Sequence, residues 1–89
     1  MASRTVTIIN KLGLHARAAA KFVQIASGFA CEINIKHGSR EVSGKSIMGV
    51  MMLAVGMGTE IEIIAHGSGA EKALDTLENL VLDRFGEDE

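Results

Sequence analysis

Three separate segments of this chain alternate apolar and polar residues, and that period of two constrains the fold more than any other feature. In 4–9, Val6 and Ile8 fall on one face and Thr5 and Thr7 on the other. In 31–36, Cys31, Ile33 and Ile35 share a face, and Glu60-Ile61-Glu62-Ile63-Ile64-Ala65-His66 repeats the pattern. Such alternation belongs to strands buried on one side only. His37-Gly38-Ser39 reads as a turn, with Arg40-Glu41-Val42 returning beside 31–36 as a hairpin.

Between these strands the apolar spacing changes to three and four. Ala19, Phe22, Val23 and Ala26 form the stripe of a helix predicted over 16–27, with Gly28 as its terminating glycine. Ser46 reads as the N-cap of a second helix over 47–54, expected to bury Val50, Leu53 and Ala54. A third, over 69–85, has Ala70, Ala73, Leu74, Leu77, Leu80 and Val81 inward, and Ser68 with Glu71 reads as its capping box. The order β-α-β-β-α-β-α predicts an α+β fold, a four-stranded antiparallel sheet with three helices on one face, over a single domain 1–89.

Composition excludes several functions. A chain of 89 residues supports one modest core and no deep enclosed pocket. The lone Cys31 cannot form an internal disulfide and is expected in the core. His15, His37 and His66 lie in different segments, so no metal site and no cofactor are expected, and the last two are assigned no role. No stretch approaches the ~20 apolar residues of a membrane span, and no signal region precedes the first strand; the reading is a cytoplasmic protein without membrane insertion. A net charge of −2, with acids gathered at Glu87-Asp88-Glu89, and only three aromatic residues argue against nucleic-acid binding.

The candidate chemistry lies in Asn10-Lys11-Leu12-Gly13-Leu14-His15-Ala16-Arg17, where strand gives way to helix. His15 is placed at or just before a helix N-terminus, where unpaired N–H groups and the helix dipole favour an anion. Arg17 adds a guanidinium that can fork onto phosphate oxygens. A single histidine beside an arginine is, however, more often a capping or surface residue. Ala16, Arg17, Ala20, Gln24 and Ser27 share another face of the first helix, where Ala20 is small and Gln24 uncharged, smooth enough for a partner to approach His15. From 47 to 59 no residue is charged. A short helix there buries one side and leaves some of Ile47, Met48, Met51 and Met52 at the surface as an adaptable docking patch. The competing expectation is that these methionines are all core.

Gly13-Leu14-His15-Ala16-Arg17, followed by Ser43-Gly44-Lys45-Ser46-Ile47-Met48-Gly49 and Met51-Met52-Leu53-Ala54, resembles the histidine-containing phosphocarrier (HPr) family of the bacterial phosphoenolpyruvate-dependent phosphotransferase system, in length and element order as well. The resemblance implies a relay. Enzyme I passes a phosphoryl group to Nδ1 of His15, with Arg17 as charge partner, and the carrier hands it to A-type domains of enzyme II or of a nitrogen-related branch. It also implies that Ser46 matches the serine modified by HPr kinase/phosphorylase in many bacteria, and that Ile47, Met48, Met51 and Met52 match the docking patch. Such a protein is a relay rather than an enzyme, and a monomer is expected because successive partners need the same face. An exposed site with few charges is expected too, since an over-stabilised phosphohistidine is a poor donor. Ala18 stands where many relatives carry proline, and helix propensity is expected to preserve the helical start there. Gln24 and Ser27 replace lysines of the best-known sugar-branch carriers.

Two other classes compete. A protein-binding module would use the methionine patch with His15 incidental, and would be indifferent to His15→Ala. An enzyme of acylphosphatase size would need an acid, base or oxyanion constellation, and only His15 and Arg17 stand close together in sequence.

Overall fold

A computed structural model describes residues 1–89 and shows the expected element order. The strands are β1 (Ala2–Thr7), β2 (Glu32–His37), β3 (Arg40–Ser43) and β4 (Glu60–His66); the helices are α1 (Ala16–Ala26), α2 (Ile47–Met52) and α3 (Ala70–Leu82), followed by a 3-10 turn, Arg84–Gly86. All strand pairs are antiparallel and the sheet order is β1-β4-β2-β3. Val6 faces Ile61 across the first pair, and Ile63 lies between Arg4 and Ile35. The inward row is therefore Val6, Ile33, Ile35, Ile61, Ile63 and Ala65, all buried.

The helices cover that row. Phe22, Ala19 and Ala26 of α1 and Ala73, Leu74, Leu77 and Val81 of α3 are buried against it, and Cys31, just ahead of β2, joins the core. Each large aliphatic or aromatic side chain so buried contributes about 1.5–3 kcal/mol. Arg4 occupies an inward position at the margin of the sheet. Its guanidinium is neutralised by Glu71, Asp75 and Glu78 of α3, which tie the edge strand to the helix.

Several local expectations are corrected. Gly28 follows the end of α1 as expected but lacks the left-handed φ common at such glycines, since α1 closes on Ser27 in right-handed geometry. The buried stripe of α1 includes Ala18, while Val23 is half-buried. α2 stops at Met52: Leu53 is buried, but Ala54 turns outward with φ 52°, so it leaves the buried side predicted for it. The Ser68–Glu71 capping box does not form; Gly69, at φ 82°, precedes α3 without a side-chain cap. α3 itself ends at Leu82 rather than 85, because Arg84 and Phe85 adopt φ 54° and 55°.

Candidate functional site

The site is made where β1 hands over to α1. After Ile8, whose N–H and C=O bond to Thr59 and Gly58, the chain turns through Asn10 to Gly13. Asn10 is fully buried and closes this turn twice, accepting from Gly13 N–H through its backbone at 3.2 Å and donating Nδ2 to Gly13 O at 2.8 Å. Gly13 has φ 67° and packs on the backbone of Val55 and Gly56. Leu14, buried, donates its N–H to Val55 O at 3.1 Å. His15 is thereby fixed as the extended N-cap of α1 (φ −75°, ψ −179°), its carbonyl accepting from Ala19 N–H at 2.8 Å. Its side chain makes no cap bond, and no acidic residue lies in the first turn. The positive end of α1 is thus uncompensated from within the helix.

Compensation comes from the other end of the chain. The left-handed run Arg84, Phe85, Gly86 reverses direction after α3, with Phe85 fully buried as its anchor. Residues 87–89 then cross over His15. Glu87 meets His15 Nε2 through Oε2 and accepts from Asn10 Nδ2 through Oε1 at 3.0 Å. Lys11 N–H donates to Glu89 O at 2.8 Å, and Lys11 Nζ stands 3.1 Å from the Glu89 carboxylate. Lys11, Leu12, His15, Ala16 and Arg17 form one wall of a shallow cleft and residues 86–89 the other.

This arrangement corrects the expectation of an exposed site with few charges: the imidazole is 29% exposed, Glu87 lies against it, and Asp88 and Glu89 line the same cleft. Burial, the largest influence on the Glu87 carboxyl, pulls its pKa upward. Hydrogen bonds from Asn10 and His15 and the charges of His15 and Arg17 outweigh burial and hold the pKa below the usual carboxylate value. Nδ1 of His15 makes no hydrogen bond. Arg17 is exposed at the cleft, its guanidinium without a hydrogen-bond partner.

Ala16, Ala20 and Gln24 line up exposed on α1, as expected. On α2, Ile47, Met48, Met51 and Met52 are 43%, 71%, 40% and 59% exposed, so these methionines are not core. Ser46 is the N-cap of α2, its Oγ accepting from Gly49 N–H at 3.1 Å. Asn10, Lys11 and Glu87 are contributors that sequence reasoning did not assign. The one available signal was Gly86 preceding three acidic residues. His37 and His66 are exposed, and no group of three or more His, Cys, Asp or Glu side chains is arranged to hold a metal.

Comparison with known proteins agrees with this architecture. Residues 2–83 match the family described as PTS HPr component phosphorylation site. The chain is 48% identical over 89 residues to phosphocarrier protein HPr of Cupriavidus necator, covering all of both chains. It is 48% identical over 84 residues to phosphocarrier protein NPr of Shewanella violacea, covering 94% of this chain and 92% of that one. The crystal structure of an HPr from Thermoanaerobacter tengcongensis superposes with a TM-score of 0.95 at 43% identity, covering 100% of each chain. The buried turn that presents His15 at the head of α1 is thus part of a shared fold, and the chain belongs to the HPr family of phosphotransferase-system phosphocarriers.

Proposed function

We propose that His15 is the phosphoryl acceptor and donor of this carrier, taking the group from enzyme I and passing it to A-type domains of enzyme II or of a nitrogen-branch equivalent. The observation that carries the reading is the placement of His15 as N-cap of α1 with Nδ1 unengaged, beside Arg17 and a helix whose first turn holds no acidic residue. Phosphoryl transfer asks a protein chiefly for positioning and charge stabilisation. A neutral imidazole supplies the nucleophile, and the first-turn N–H groups with Arg17 supply the positive charge.

Ala16, Ala20 and Gln24 with Ile47, Met48, Met51 and Met52 form the docking surface. Ser46, at the rim of that patch, is the regulatory position for an HPr kinase/phosphorylase. The carrier works in the cytoplasm as a monomer, one face serving successive partners.

The test is intact mass after incubation with phosphoenolpyruvate and enzyme I, for the parent and for His15→Ala, before and after mild acid. One phosphate found only in the parent and lost in acid is the expected result, because phosphoramidates are acid-labile. No transfer, with enzyme I shown active on another carrier, would instead favour a binding module that uses the exposed methionine patch.

A further inference from the structure

The family relationship and the proposed relay leave the C-terminal strap over His15 without a role. Its carboxylate is not a surface charge resting against a ring. The Glu87 side chain is only 11% exposed, and each of its oxygens has a separate partner: Oε1 accepts from buried Asn10 at 3.0 Å and Oε2 meets His15 Nε2. Asn10 is itself locked by its second bond to Gly13 O. The carboxylate is therefore oriented by the same turn that orients the histidine.

We propose that Glu87 is a positioning residue for phosphoryl transfer: by accepting a hydrogen bond from Nε2–H it fixes the neutral imidazole in the tautomer whose Nδ1 lone pair is free. This inference rests on His15 being the phosphoryl acceptor. In the transfer, the Nδ1 lone pair forms a bond to phosphorus. The bond from phosphorus to the donor atom of the phosphorylated protein breaks, and its electron pair leaves with the donor. The ring becomes an N-phosphoimidazolium that keeps its Nε2 proton against the Glu87 carboxylate, so the positive charge created on the ring meets a fixed negative one. On transfer onward the Nδ1–P electron pair returns to the ring, and the same tautomer is regenerated. Anchoring by Asn10 means that the ring need not reorient between turnovers.

Two variants separate this role from simple packing. In Glu87→Gln, Asn10 Nδ2 holds the amide oxygen at the Oε1 place, which turns the amide NH2 toward His15 Nε2. That nitrogen must then accept, and the proton moves to Nδ1, the nitrogen that should attack. In Glu87→Ala no group selects either tautomer. The isosteric change is thus expected to be the more harmful one, the opposite of what a packing role gives. Nitrogen-15 NMR of the His15 ring, at a pH where it is neutral, should show the proton on Nε2 in the parent, on Nδ1 in Glu87→Gln, and shared in Glu87→Ala. Initial rates of phosphorylation by enzyme I should fall in the order parent, Glu87→Ala, Glu87→Gln, with about a tenfold or greater loss for the last and little change in KM. A parent ring protonated on Nδ1, or Glu87→Gln as fast as Glu87→Ala, would overturn the proposal. The ring measurement needs no donor protein, so its failure is distinct from a failure of His15 to accept phosphate.

Discussion

A Cβ placed on Gly13 would lie 2.4 Å from the carbonyl oxygen of Val55, the same oxygen that accepts the Leu14 N–H. The handover from β1 to α1 is thus pressed against the chain segment leading into β4. Gly13→Ala combines a left-handed residue with a backbone clash, and its expected cost is about 2–4 kcal/mol. Thermal or denaturant unfolding measures it. Because the shift displaces Leu14, the transfer rate from enzyme I should also drop in whatever fraction remains folded.

Ser46 and Gly49 form the cap of α2. Ser46→Ala should destabilise the protein by about 1 kcal/mol. Ser46→Asp should keep the cap and place a negative charge beside Ile47 and Met48, weakening enzyme I binding about tenfold, as a phosphoserine with nearly two charges would do more strongly. Calorimetric titration with enzyme I is the measurement, and unchanged affinity would remove Ser46 from the docking rim.

Met48 is exposed on the side of α2 away from the core. Met48→Glu should therefore alter stability by no more than about 0.5 kcal/mol while weakening binding to enzyme I. A stability loss of several kcal/mol would show that this side chain is part of the core instead.

Acid should release the strap. The Glu87 carboxyl is held below its ordinary value by Asn10, His15 and Arg17, against the opposing pull of burial. Its ionised form is therefore favoured by the fold. That contribution is complete above the ordinary carboxylate value of about 4.3 and is lost as pH falls through the lower folded value. Lys11 N–H, bonded to Glu89 O, reports the detachment. Its NMR shift should move toward that of a free amide only in this acid window, and a shift that holds constant there would count against release.

The strands and helices were legible because each buries one face, so the periods of Val6, Ile33 and Ile61 or of Phe22 and Leu77 are written locally. Sheet order was not, since β1 meets β4 through pairings more than fifty residues apart in sequence. The position of His15 at the head of α1 was readable from its glycine turn and alanine-rich helix. Glu87 was not, because only the left-handed run at Arg84, Phe85 and Gly86 turns an apparent solvated tail back onto the site. Ser68 gave a false capping signal for the converse reason: the chain uses the conformational freedom of Gly69 where a side-chain hydrogen bond was expected.

The sheet order also sets a sequence of events in time. β1 and β2 do not touch each other as neighbours; each pairs with β4. On a growing nascent chain the amino-terminal strand and the β2–β3 hairpin must wait, apart, until residues 60–66 have emerged to join them. Closing these distant pairings carries most of the entropy cost, so the rate-limiting step of folding is expected at the insertion of β4. The histidine turn, braced on Val55 just ahead of that strand, is completed only then. A ribosome-bound fragment ending before β4 should hold an unassembled site, however complete its His15 segment is.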